Sequence, residues 1–329
     1  MVHVRRAGSP KPYLLVLPRP GSDNDLAAAP KPPFPAPPEE RFTTLFGHLL
    51  PPATYIHTPR GKIAYFSLPP PSPGSGTPDK VLILHGGQTP SLGLQPLASA
   101  LQSRFPHAHI VLMDWWGHGL TDTPNTSHIP ELFNEQISTL LDALSWSRVH
   151  IFGFSFGGIA AATYAVHYPK RVASLVLAGP AGMLPLSVFP EEIMRGDDEQ
   201  KTQDWMFEFL EGGPMVVPQD WEERVKKGEV VTEALRDWEK REHPGHAASI
   251  VAILRDGGVL ARHDVYRQLA QLGIPTRFVI GENDEMCSEA EVRTLGFKDV
   301  VVLPNVGHSD LRDKVSQVSA VIAEFWKTL

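Results

Sequence analysis

Three short stretches carry residues that could do covalent chemistry together. Ser155 stands in Gly153-Phe154-Ser155-Phe156-Gly157-Gly158, His308 in Pro304-Asn305-Val306-Gly307-His308-Ser309, and acids crowd Gly281-Glu282-Asn283-Asp284-Glu285. A serine hydroxyl is a poor nucleophile near neutral pH and needs a base to take its proton. A histidine can serve, provided a carboxylate fixes its tautomer and stabilises the imidazolium that forms. Asp284 is the choice for that acid, with Glu282 the alternative from the same loop. Attack by serine on a carbonyl builds up negative charge on oxygen, which needs two preorganised donors. One is the backbone N–H of Phe156, directly after the serine. The other is expected after Leu84 in His85-Gly86-Gly87-Gln88, from Gly87 first and Gln88 second.

These residues need a scaffold that brings distant loops to one place. Val149 to Phe152 reads as a buried strand, and the small, Ala-rich run Ile159 to His167 reads as a helix. A serine on the sharp turn between them is strained and crowded, and Gly153 and Gly157 leave space where a Cβ would clash. The helix behind it directs free N–H groups and a positive dipole end at the reaction centre. Val81 to Leu84, His109 to Met113 and Val172 to Ala178 are further continuous apolar runs of the kind buried on both faces of a parallel sheet. Helical patterns separate them at Leu92 to Leu101 and Ile129 to Leu144. The alternation implies a parallel sheet with right-handed crossovers. It stops from about Leu184 to Arg262, where only helical patterns occur, at 204–210, 221–227, 231–241 and 248–254. It resumes with strands at Thr276 to Ile280 and Val300 to Leu303 and a last helix, Leu311 to Trp326. Open parallel sheets bind ligands at the carboxyl ends of their strands, where every motif above lies.

The chain has 329 residues, 42% hydrophobic and 20% charged, which suffices for one large α/β domain with an insertion. The net charge of −7, with both signs interspersed, leaves no basic face for nucleic acid. One cysteine, Cys287, excludes an intrachain disulfide, and a reducing, cytoplasmic setting fits. No apolar run approaches the ~20 residues of a membrane helix. Residues 1–40 are crowded with proline towards their end and read as a flexible arm, whose removal is expected to spare fold and activity. Within it, Tyr13 to Leu17 could pair at a sheet edge.

Taken together, His85-Gly86-Gly87, Asp114-Trp115-Trp116-Gly117-His118-Gly119, the stretch around Ser155, Gly281 to Asp284 and Gly307-His308 resemble the α/β-hydrolase fold family, in its cap-bearing serine form. The order Ser155, Asp284, His308 is the one that fold uses. The resemblance implies a mostly parallel sheet flanked by helices, with core at 41–183 and 263–329 and an inserted helical cap at 184–262. It implies a structural role for the loop holding Asp114 and His118. Relatives that hydrolyse epoxides or haloalkanes carry an aspartate where Ser155 stands, which argues against both activities.

The cap holds many large apolar residues, so the substrate is expected to be a hydrophobic ester or lactone, with Gln88, Trp205 and Trp221 lining its pocket. Neither cofactor nor metal is required. Two alternatives use the residues differently: cleavage of a carbon–carbon bond beside a ketone, or a lyase or acyl transferase, by the same triad; and a non-catalytic binding protein on the same fold.

Overall fold

In a computed structural model of the chain, residues 14–21, 30–72, 74–213 and 215–329 are described. The first elements are α1 (Glu39–Phe46), the hairpin β1 (Thr54–Thr58) and β2 (Gly61–Leu68), β3 (Lys80–Leu84), α2 (Gln95–Arg104), β4 (His109–Met113), α3 (Pro130–Ala143), β5 (Val149–Phe154), α4 (Phe156–His167) and β6 (Val172–Ala178). Five helices follow without a strand: α5 (Glu191–Arg195), α6 (Glu199–Glu211), α7 (Trp221–Lys226), α8 (Thr232–Glu242) and α9 (His246–Asp256). The chain closes with α10 (His263–Gln271), β7 (Thr276–Asn283), α11 (Glu289–Thr294), β8 (Val300–Gly307) and α12 (Val315–Trp326).

The strands form one sheet in the order β1-β2-β4-β3-β5-β6-β7-β8. β1 and β2 run antiparallel at one edge and the other six strands are parallel. The apolar runs alternate between two layers. Leu82 and Leu84 of β3, with Val111 and Met113 of β4, join α3, α4 and α10 on one face. Val81 and Ile83, with Ile110 and Leu112, join α2 and α12 on the other. Burial on both faces explains why these strands read as continuous apolar runs. The chain moves from β3 out to β4 and returns past β3 to β5, so the direction of winding reverses beside β3. The carboxyl ends of β3 and β5 therefore flank the crevice where such sheets bind ligands.

Four helices differ from the sequence reading. The short helices α5 and α11, and α10, show too few apolar repeats to stand out. Helix α1 directly follows the proline-rich stretch. Its start was legible: Pro38 precedes two acids in the first turn, with Phe42 and Phe46 at i, i+4 spacing. Those phenylalanines pack on Trp238 of α8, the Phe42 ring at 4.8 Å and the Phe46 ring at 6.3 Å, and Phe46 also lies 5.9 Å from Trp221 of α7.

The described parts of the arm also correct an expectation. Leu17 is buried against Ala248 and Ala252 of α9 instead of pairing with the sheet; Tyr13 lies outside the described residues. Phe34 forms an antiparallel bridge with Thr123, two N–H···O bonds of 2.9 Å, and the Ala36 N–H donates to Asp122 at 2.9 Å. The arm thus supplies core-forming side chains that the count of prolines hid. Deleting residues 1–37 is expected to lower the melting midpoint by a few degrees, because the Ala248–Ala252 face of α9 loses its cover. An unchanged midpoint in differential scanning calorimetry would show that the seat on α9 contributes nothing.

Candidate active site

Ser155 sits between β5 and α4 with φ 54° and ψ −117°, a backbone region that a residue with a Cβ occupies at a cost. The strain is held in place. The Ser155 N–H donates to Ala178 O at 3.0 Å, and β5 is buried along its whole length. A Cβ on Gly153 would strike the backbone of Gly157, and one on Gly157 would strike the Leu84 and His85 carbonyls, so both glycines of the turn are required by close approach.

His308 follows β8, and its Nε2 lies 3.0 Å from Ser155 Oγ. Its Nδ1 lies 3.1 and 3.2 Å from the two carboxylate oxygens of Asp284, in the loop that closes β7. A carboxylate only accepts, so Nδ1 carries the proton and donates, leaving Nε2 free to accept from the serine. The Asp284 side chain is fully buried and that of His308 is 13% exposed; Asp284 Oδ1 also accepts the Met286 N–H at 2.8 Å. Glu282, the sequence alternative, turns elsewhere: its carboxylate accepts the Asn305 N–H at 2.8 Å and ties the end of β7 to the end of β8.

Two residues that the sequence reading missed complete this arrangement. The Phe154 ring stacks on the His308 ring at 5.4 Å and 21°. Gly179, at the end of β6 with φ 47°, lies so close that a Cβ would fall 2.6 Å from Asp284 Oδ2 and 3.0 Å from His308 Nδ1. Phe154 occupies a variable position of the motif, and Gly179 lies just beyond the apolar run Val172 to Ala178, where nothing local marks it.

Gly87 and Gln88 line a cavity of about 110 Å3 together with Ser155 and His308, and Phe156 is the first residue of α4. The apolar wall is Phe154, Phe209, Leu210 and Met286, and charged groups face it from Arg236, Glu285 and Arg312. Two expected lining residues are elsewhere. Trp205 stacks behind Phe209 at 5.5 Å and 11°, so Phe209 and not Trp205 faces the cavity. Trp221 borders a separate groove with Leu45, His48 and Leu49. Helix α1 covers that side of the insertion, with Phe46 on the Trp221 ring, and that long-range contact takes Trp221 away from the cavity.

Behind the Gly87 peptide lies a buried polar layer. His118 Nε2 is 2.7 Å from Gly87 O, and its Nδ1 is 3.0 Å from Trp116 O. Asp114 accepts the N–H groups of Ser91 at 2.8 Å and Leu120 at 2.9 Å; burial pushes its carboxyl up to about 6 against those bonds. Glu239 of α8 reaches across to accept the Gly119 N–H at 2.7 Å, and its second oxygen is 3.5 Å from His246 Nδ1. Asp114 and His118 are thus part of the support of the loop, not of the Ser155 cluster.

Burial lowers the imidazoles of His85, His118 and His246, and takes those of His128 and His243 from 6.5 to about 4. Between pH 6.5 and 4 the unfolded chain therefore binds more protons at these sites than the folded one, and the stability present above 6.5 is lost as pH falls. Burial raises Asp114 and Glu239 instead. Their contribution has the opposite sign, being present at low pH and lost as pH rises, and two acids offset only part of the effect of five histidines. Melting midpoints are expected to fall steadily from pH 6.5 to 4. A flat profile would mean that the histidine layer opens to water.

Among the described residues, no helix is long and apolar enough to cross a membrane, and no group of His, Cys, Asp or Glu has the makings of a metal site.

Comparison with known proteins gives a consistent family. Over 270 residues, 77% of this chain and 92% of the other, the sequence is 24% identical to a Bacillus subtilis (strain 168) protein provisionally named 2-succinyl-6-hydroxy-2,4-cyclohexadiene-1-carboxylate synthase. A shorter match of 111 residues, 33% of this chain and 40% of the relative, is 31% identical to a 2-hydroxy-6-oxo-2,4-heptadienoate hydrolase of Pseudomonas putida. The crystal structure of an enol-lactonase from Burkholderia xenovorans LB400 has the same fold, with a TM-score of 0.61 at 16% identity over 83% of this chain and all of that one. The model of the alpha/beta hydrolase fold family matches residues 79–315, so the chain belongs to the alpha/beta hydrolase fold family, whose members are hydrolases.

Proposed function

We propose that the protein is a serine hydrolase that cleaves a carboxylic ester or lactone through an acyl-enzyme on Ser155. The reading rests on one observation above the rest, the 3.0 Å approach of His308 Nε2 to Ser155 Oγ with Asp284 on the far side of the ring. Ser155 Oγ attacks the carbonyl carbon while His308 Nε2 takes its proton. Asp284 holds the imidazolium in orientation and offsets its charge. The Gly87 and Phe156 N–H groups receive the oxyanion, and His118 steadies the loop from the Gly87 carbonyl. The imidazolium then protonates the leaving alcohol, and a water activated by the same nitrogen releases the acid.

The cavity of about 110 Å3 is small beside the several hundred Å3 of sites for drug-sized ligands, which favours a short acyl group. The insertion acts as a cap that selects substrate through Phe209 and Leu210. A second reading, cleavage of a carbon–carbon bond beside a ketone by the same triad, draws support from the likeness to the heptadienoate hydrolase.

A series of 4-nitrophenyl esters from acetate to decanoate separates these readings. Turnover is expected to peak at the short end. Phe209→Ala should move the peak to longer chains, with discrimination changing by about 1–3 kcal/mol per methylene; Trp221→Phe should leave the profile in place. Turnover of a vinylogous diketone with none of any ester would overturn the first reading for the second.

A further inference from the structure

Two arginines face the cavity that holds Ser155, one from each side. Arg236 belongs to α8 of the insertion, and Arg312 ends the turn that follows His308. A cavity built only for an apolar substrate has no use for either. Arg312 is already compensated: its Nε and one terminal nitrogen lie 3.2 and 3.4 Å from the carboxylate of Asp313. Arg236 is not. Its Nε is buried without a hydrogen-bond partner, and no ion pair joins it to any described residue. Glu285, the acid on the cavity rim, is solvent-exposed. The acids that act on it most are Glu233, three residues earlier on α8, which forms no ion pair with it, and Glu211, which is taken by Lys240.

A partly buried guanidinium with no ion pair and an unpartnered Nε, near a second arginine, is stabilised by a group that accepts its hydrogen bonds. Burial first and then the charge of Arg312 draw Arg236 down to about 10, which still leaves it cationic at neutral pH.

We propose that Arg236, backed by Arg312, is an anion subsite, and that the ester cleaved at Ser155 carries a free carboxylate a few atoms from its scissile carbonyl. The proposal rests on the reading of Ser155 as nucleophile and names the substrate class. One uncompensated positive charge matches a carboxylate monoanion better than a doubly charged phosphate. The planar fork of arginine fits the two carboxylate oxygens. Both arginines share one small cavity with Ser155, so the anion and the scissile bond belong to the same molecule. Phe154, Phe209, Leu210 and Met286 cover its carbon chain.

The test compares monomethyl glutarate with methyl 5-methylhexanoate, which carries an uncharged isopropyl group where the first has its carboxylate. In the wild-type protein kcat/KM is expected to favour the glutarate ester about tenfold to a hundredfold, the worth of a charge-assisted hydrogen bond. Arg236→Met should abolish that ratio and Arg236→Lys should keep part of it, each variant being checked by circular dichroism. Binding is read separately by titrating glutarate, and inorganic phosphate, into Ser155→Ala by calorimetry. Glutarate binding that is lost on adding Arg236→Met supports the subsite even if no ester is turned over, a result that would sink the acyl-enzyme reading alone. Equal turnover of the two esters with no glutarate binding overturns the subsite and leaves the nucleophile standing. Tighter binding of phosphate than of glutarate overturns the choice of a carboxylate.

Discussion

Asp284→Asn is expected to lower ester turnover by about 10⁴-fold, the size of effect seen when a triad aspartate becomes asparagine, while Glu282→Gln leaves it near the wild-type rate. The geometry gives the reason. Asp284 Oδ1 accepts the Met286 N–H, and an asparagine keeps that bond only by placing its carbonyl oxygen there. Its amide NH2 then occupies the Oδ2 position, 3.2 Å from His308 Nδ1. That donor competes at Nδ1 with the carbonyl oxygen 3.1 Å away and favours the tautomer protonated on Nε2, which cannot accept from Ser155 Oγ, while the charge that stabilised the imidazolium is lost. The fold should be almost undisturbed, because size and the Met286 bond are kept. Glu282 holds only the Asn305 N–H at the surface. Steady-state kcat on a short ester, with melting curves for both variants, checks the pair. If the glutamine variant were the inactive one, the acid has been misassigned and the serine and histidine remain.

Gly179→Ala should cost at least about 100-fold in turnover, although Gly179 carries no functional group. The added methyl would sit 2.6 Å from Asp284 Oδ2, inside any tolerable contact, and 3.0 Å from His308 Nδ1, where it crowds the ring. The backbone cannot relieve the clash by turning, since the Gly179 N–H donates to Val279 O at 2.9 Å and fixes the end of β6 against β7. The carboxylate or the ring must therefore shift, and a displacement near 1 Å in a positioned group is worth about 10²-fold. Measured as kcat with the acyl-chain profile alongside, the loss should be equal for all chain lengths, because the damage is to the proton relay and not to the cavity wall. A variant that lost activity only on long chains would place Gly179 in substrate choice instead.

What was legible in the sequence followed from local physics. The strained turn at Ser155 advertises itself because two glycines and a buried strand must surround it. Asp284 and His308 could be paired with it because strand order in a parallel sheet decides which loops meet. Contacts between elements remote in the chain were not legible. Gly179 and Phe154 matter only because β6 and β5 end beside the β7 and β8 loops. Trp205 and Trp221 looked like pocket aromatics because the insertion is rich in them, but one backs Phe209 and the other serves α1. Arg236 and Glu239 sit three residues apart on α8, where charged residues usually form a solvated face. Here one turns to the cavity and the other inward to the Gly119 N–H. The arm misled for a related reason. Proline content disfavours helix and central strand but not burial or a single bridge, and the arm is held by the buried Leu17 side chain and by the Phe34 backbone.

The central claim is that Ser155 is an activated nucleophile, and covalent labelling addresses it most directly. The folded protein is treated with a fluorophosphonate and the adduct located by tandem mass spectrometry. A hydroxyl reacts readily only beside a base that takes its proton, so a single adduct is expected, on Ser155, nearly lost in His308→Ala and strongly slowed in Asp284→Asn. An unlabelled Ser155 in protein shown to be folded, or an adduct whose rate ignores His308, would contradict the mechanism from its first step.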